Sequence, residues 1–164
     1  MRPAGTVAAG FLGAIVLGTG SPLAAQRTPS VLEWGLHGTF TAVEGGPVGL
    51  VAGPRVALRT AGGTRAALSL GGGVRGDRAS ARGEAALEYL LSPRAAGRVG
   101  VYLGGGLAGV VGGGEGGYLL VYLGLEKSPG LPSGWAIEAG LGSGYRIRAA
   151  WHWRHFPLGW RARQ

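Results

Sequence analysis

Between Val31 and Phe156 apolar residues alternate with small or polar ones. The pattern is sharpest over 144–156. There Tyr145, Ile147, Ala149, Trp151 and Trp153 fall on one face, and Arg146, Arg148, Ala150, His152 and Arg154 on the other. Successive side chains of a strand point to opposite faces, so a period of two predicts β-structure. The same reading predicts eight strands, at 31–43, 48–60, 64–75, 79–91, 98–111, 117–126, 134–142 and 144–156. The connections between them are rich in Gly, Pro, Ser or Asp, as hairpin turns require. None is long enough for a crossover helix, so every neighbouring pair is expected to be antiparallel. The fold class expected is all-β, an eight-stranded antiparallel up-and-down barrel.

Two segments test this reading. Residues 99–114 carry no charge and could be taken for a membrane helix, but eight of the sixteen are Gly. Each interior Gly costs a helix about 1 kcal/mol relative to Ala, and the run is shorter than the ~20 residues a helical span needs. A Gly-lined strand in a narrow barrel fits better. Pro54 lies in the middle of the second segment, where its missing N–H predicts a bulge or a later strand start.

The two faces differ in a way that bears on the surroundings. One face is nearly free of charge on every segment, from Leu32, Leu36 and Phe40 to Ile137 and Leu141. Leu68, Leu87, Val101, Val121 and Ile137 occupy its mid-strand positions. The other face mixes Gly and Ala with charges of both signs. It carries Glu33, His37, Arg55, Arg59, Arg65, Arg75, Arg82, Glu84, Glu88, Tyr102, Tyr118, Tyr122, Glu126, Glu138, Arg146, Arg148, His152 and Arg154. A water-facing surface carries more charge and fewer small residues. A tight barrel interior needs this mixture, because eight strands leave a lumen just wide enough for side chains to fill. With both termini at one rim, Trp34, Tyr89, Trp135, Trp151 and Trp153 fall at that rim, and Tyr145 and Phe40 at the other. Aromatic girdles at the two interfaces mark membrane barrels.

Residues 1–25 read as a cleavable signal peptide. Arg2 supplies the charge, Ala8 to Leu17 the uncharged stretch, and Pro22-Leu23-Ala24-Ala25 precedes the cut. The alternative is a retained anchor, for which the apolar run is short. The domains expected are thus 1–25 signal, 26–156 barrel and 157–164 a C-terminal tail. The whole chain has a formal charge of +8, and losing Arg2 leaves +7. The arginines are spread singly along alternating segments behind an export signal, which sets nucleic acid aside. There is no Cys, which excludes disulfides, thiol chemistry and zinc–cysteine sites.

With these features the chain resembles the small outer-membrane β-barrel proteins of the OmpA/OmpX type. The resemblance is architectural, covers residues 31–156 and rests on no diagnostic motif. It implies outer-membrane lipid as the surroundings, both termini in the periplasm, and assembly by the barrel-assembly machinery. The segment from Gly144 to Phe156 looks like the aromatic-ended closing strand used for that assembly. Residues 157–164 continue past the point where such proteins often stop. The proposed outer loops are shorter than the family's.

Charges that face a low-dielectric interior must pair. The bland expectation is therefore a plug of Arg–Glu pairs built from Glu33, Arg55, Arg59, Arg82, Glu84, Glu88, Glu126, Glu138, Arg146 and Arg148. The sharper one is a narrow basic pore. A third is a soluble periplasmic barrel with its apolar face inward around a small apolar ligand. Catalysis is not expected, the alternative being a lipid-modifying outer-membrane enzyme: no Ser or Thr stands at short spacing from His152 or His155, and His37 has only Thr39 beside it on its face. His152 is expected to donate to an interior carboxylate or backbone oxygen. Gly104-Gly105-Gly106-Leu107-Ala108-Gly109 matches a dinucleotide-binding fingerprint but lacks the strand–turn–helix context. No cofactor or metal is expected.

Overall fold

The alternating segments become eight strands: β1 (Ser30–Ala42), β2 (Gly49–Thr60), β3 (Thr64–Arg75), β4 (Arg78–Leu90), β5 (Val99–Val111), β6 (Gly116–Lys127), β7 (Ser133–Leu141) and β8 (Tyr145–His155). Each bound lies within one residue of the position expected from the pattern. The structure is a computed structural model that describes residues 30–158 except Glu115, together with Trp160. The expected signal segment, Gly159 and residues 161–164 of the tail lie outside the described residues.

Every strand pairs antiparallel with its sequence neighbours, and β8 pairs with β1 to close the barrel. No helix occurs among the described residues. Cross-strand partners lead round the wall from Leu32 through Leu58, Ala66, Leu87, Gly105, Val121, Leu141 and Tyr145 to Ala42. The path thus returns to β1 ten residues beyond its start. In an eight-stranded barrel that stagger tilts the strands by roughly 40° and leaves a lumen that side chains fill.

Pro54 causes neither a bulge nor a late start. β2 runs unbroken through it, and Pro54 keeps its place opposite Leu36 of β1. On the β3 side the ladder opens between Ala52↔Gly72 and Arg55↔Ser69, and resumes in the same register. The missing N–H is accommodated by two unpaired positions rather than an extra residue.

Burial alternates along the strands with the charged face inside. Leu119 on the outer face is 77% exposed, while Arg65 and Glu126 on the inner face are fully buried. Gly and Ala make room for the larger inner groups. Tyr102 lies opposite Gly124 and Tyr122 opposite Gly104, so β5 and β6 each lay a phenol ring over the other's glycine. A Cβ at Gly104 or Gly124 would run into that ring.

Candidate functional site: the charged interior

Seven arginines and five glutamates are buried inside the barrel. Alternation alone puts them there, since each occupies an inward position of its strand. They form one connected set. At its centre, Glu88 on β4 accepts from Arg65 Nε, from Arg55 Nη2 at 2.5 Å and from Tyr122 Oη at 2.6 Å. Glu138 on β7 accepts from Arg146 Nη2 at 2.7 Å, Tyr102 Oη at 2.9 Å and Arg55 Nη1 at 3.2 Å. Arg55 therefore joins the two carboxylates with one planar fork, a geometry that a lysine lacks.

The set extends from this centre to both mouths. Toward the end that holds the chain termini, Arg65 Nη1 donates to Glu126 at 2.7 Å and Glu33 at 3.0 Å, and Arg154 donates to Glu126. Arg59 Nε lies 3.0 Å from Glu33. Toward the other end, Glu84 accepts from Arg148 Nη2, from Arg82 Nε at 2.6 Å and from Arg146 Nη2 at 3.2 Å. One unbroken path alternates in sign: Arg154, Glu126, Arg65, Glu88, Arg55, Glu138, Arg146, Glu84, Arg82. The rings of Tyr102 and Tyr122 sit beneath Arg65 and Arg146, each 4.7 Å from the guanidinium carbon.

Arginine outnumbers glutamate, and the surplus is met by neutral acceptors at the mouths. Arg59 Nη2 donates to Pro129 O at 2.7 Å and Arg154 Nη1 to Leu131 O at 3.0 Å. Arg59 also lies 5.9 Å from the Phe156 ring and 5.8 Å from the Trp160 ring. At the far mouth, Arg82 donates to Ser143 Oγ at 3.0 Å and Gly142 O at 3.3 Å. Such further hydrogen bonds offset part of the cost of burying ions; Arg65 Nη2 and Arg146 Nε and Nη1 are left without a hydrogen-bond partner among the described residues.

The structure thus brings together all ten residues expected in the interior charge set, from Glu33 to Arg148. Arg65 and Arg154, on the same face, belong to it as fully. Arg75 and Tyr118 lie half-buried near the far mouth. Phe156, the last residue of the expected eighth strand, lies just past β8 and closes the terminal mouth with Trp160 and the carbonyls of Pro129 and Leu131, which the alternation did not single out. These are loop and tail groups, and no period marks them.

The aromatic residues are distributed unevenly. Trp34, Trp135, Trp151 and Trp153 lie on β1, β7 and β8, where Trp34 is opposite Trp153 and Trp135 opposite Trp151. Trp34 and Trp153 stack at 4.5 Å. Tyr89 stands apart on β4. The five are a tryptophan patch on one side plus one tyrosine at the same end.

Thr39 Oγ1, the hydroxyl on the face of His37, accepts from Arg148 Nε at 2.8 Å. His152, expected to donate to an interior oxygen, makes no hydrogen bond among the described residues; its Nδ1 stays 3.9 Å from Glu33. Of the nearby carboxylate oxygens, Glu33 Oε2 accepts from Arg65 Nη1 and Glu126 Oε1 from Arg154, while Glu33 Oε1 accepts no hydrogen bond among the described residues. Ligand atoms of Glu33, Glu126 and His152 lie within 4.8 Å of one another. Arg65 Nη1 already bridges these two carboxylates, so a guanidinium stands where a metal ion would. The run from Gly104 to Gly109 lies wholly within β5. Two recesses border the charged set. One, beside Thr41, Ser80 and Arg82, measures about 10 Å³, and one beside Glu33, Arg55 and His152 is smaller still. The first is about the size that one water needs.

Against this geometry, comparison with known proteins is silent: no protein-family model, no curated protein and no solved structure matches the chain.

Proposed function

We propose that this chain is a non-enzymatic outer-membrane β-barrel of the OmpA/OmpX kind, with a structural or interaction role and an interior closed by its own ion pairs. One observation carries the reading. The outer wall is apolar on all eight strands, with Leu, Val, Ile and aromatic side chains exposed all the way round. A soluble monomer rarely exposes a contiguous apolar patch beyond a few hundred Å². A belt that encircles a closed barrel calls for a hydrocarbon surround, and closure removes the exposed sheet edges that lipid does not tolerate. The tryptophan patch and Tyr89 supply amphipathic rings at one rim, where headgroups favour them.

The two competing readings need other geometries. A barrel that binds an apolar ligand needs its apolar face inside, and here the inner face is charged. A basic pore needs an open lumen, and here guanidinium and carboxylate groups meet across it.

The test is expression of the full chain followed by cell fractionation. The protein should partition with the outer membrane, and its unheated band on a denaturing gel should migrate apart from the heated one. Recovery in the soluble periplasmic fraction would overturn the proposal. Reconstituted in planar bilayers, the protein should give no steady conductance.

A further inference from the structure

Exposed charge is divided between the two ends of the barrel. At the terminal end, which also carries the β2–β3, β4–β5 and β6–β7 connections, the exposed or half-exposed formal charges among the described residues are Arg94, Arg98 and Lys127. Among the described residues no carboxylate side chain is exposed there; Glu33, Glu88 and Glu126 all turn inward and are buried. The opposite end carries the exposed acids Glu44 and Asp77 beside Arg75 and Arg78.

The cationic end also has a cleft. The β4–β5 connection, residues 91–98, bounds a space of about 300 Å³ lined by Ser92, Arg94 and Arg98 together with the apolar Leu91 and Ala61. The connection is held in place. Gly130 N donates to Ala95 O and Ser128 N to Arg98 O, each at 2.8 Å, which ties it to the β6–β7 connection. Arg94 lies 5.2 Å from the Trp160 ring. Below the cleft the outer wall continues with exposed Tyr89, Leu91 and Val99.

We propose that this cleft holds the headgroup phosphate of an anionic phospholipid, drawn from the leaflet that meets the terminal end. The inference rests on the membrane-barrel reading above. Two guanidinium groups and a hydroxyl offer the donors that a phosphodiester accepts, and arginine matches phosphate oxygens in pairs. Leu91, Tyr89 and Val99 give the acyl chains an apolar wall directly below. At the opposite end Glu44 and Asp77 offset Arg75 and Arg78, so the uncompensated cations, and with them the preference, belong to the terminal end. Basic residues at a membrane surface attract anionic lipid additively.

The experiment uses the mature protein in detergent micelles doped with phosphatidylglycerol or phosphatidylcholine, with retained lipid counted by native mass spectrometry. Folding is checked in every sample by the heat-dependent gel shift. The parent should retain phosphatidylglycerol over phosphatidylcholine. Arg98→Gln should weaken that retention about fivefold, the effect of one basic residue at a membrane surface. The double change Arg94→Gln with Arg98→Gln should weaken it further. Arg78→Gln, at the other end, should leave it unchanged. Millimolar inorganic phosphate should not displace the lipid; displacement would make this a free-phosphate site and overturn the proposal. A folded, heat-shifting parent that holds both lipids equally, or that loses its preference as readily with Arg78→Gln, would overturn the lipid site and leave the barrel standing. A parent that stays soluble without detergent and never inserts would overturn both.

Discussion

Leu87 and Glu88 are chain neighbours on β4 with opposite surroundings. Leu87 is 65% exposed on the outer wall, and Glu88 is 2% exposed within it. In a water-soluble barrel the two would change places. The inversion runs round every strand, so the two walls depend on different physics. The inner wall is held by charge-assisted hydrogen bonds in a low dielectric, where each partner matters because a bare ion would remain. On the proposed reading, the outer wall is held by the apolar medium around it.

The largest effect should come from breaking the inner wall at its centre. Glu138 receives Arg55, Arg146 and Tyr102, so Glu138→Gln should lower the unfolding free energy by about 3–5 kcal/mol, read by urea unfolding in lipid vesicles. Glu88→Gln should cost about as much. On the outer wall, Leu87→Arg should cost about 2–4 kcal/mol in a bilayer if Leu87 sits near mid-membrane. A cost near zero would place Leu87 in water and sink the outer half of the comparison. Smaller still is the packing between the walls. Gly104→Ala drives a Cβ into the Tyr122 ring, a misfit worth about 1–3 kcal/mol, and should shift the tyrosine fluorescence as that ring leaves Glu88. The smallest effect belongs to Glu44→Gln in the exposed β1–β2 connection, within about 0.5 kcal/mol of the parent. Should Glu44→Gln and Glu138→Gln cost the same, the interior is hydrated and the pore reading gains.

Which residues face inward was legible because a period of two fixes the face of each side chain and nothing else. β8 shows this best: the face carrying Arg146, Arg148, His152 and Arg154 is the inner one along its length. Partner choice was not legible. Arg146 reaches Glu138 on the adjacent strand, as sequence proximity suggests, but Arg55 also reaches it from across the lumen, and Arg148 crosses to Glu84. Those meetings depend on strand stagger and side-chain length, which no local pattern encodes. The same limit hid the terminal mouth, where Phe156 and Trp160 from the segment after β8 and Pro129 from the β6–β7 connection gather around Arg59. Pro54 misled for a related reason. Proline forbids one hydrogen bond, and the barrel answered by opening one ladder rather than inserting a residue.

The ionic path through the barrel bears on the order in which the protein can be built. Arg55 and Glu138 are 83 residues apart in the chain, Arg148 and Thr39 109 apart, and Arg65 and Glu126 61 apart. An early hairpin such as β1–β2 brings Glu33, Arg55 and Arg59 together long before most of their partners exist. Carried into hydrocarbon alone, it would strand those charges. Contacts this distant also make for slow folding, since loop closure precedes any gain. If the barrel inserts as proposed, insertion strand by strand is therefore uphill until β7 and β8 arrive, and a chain cut before β7 should wait outside the membrane rather than enter it in part.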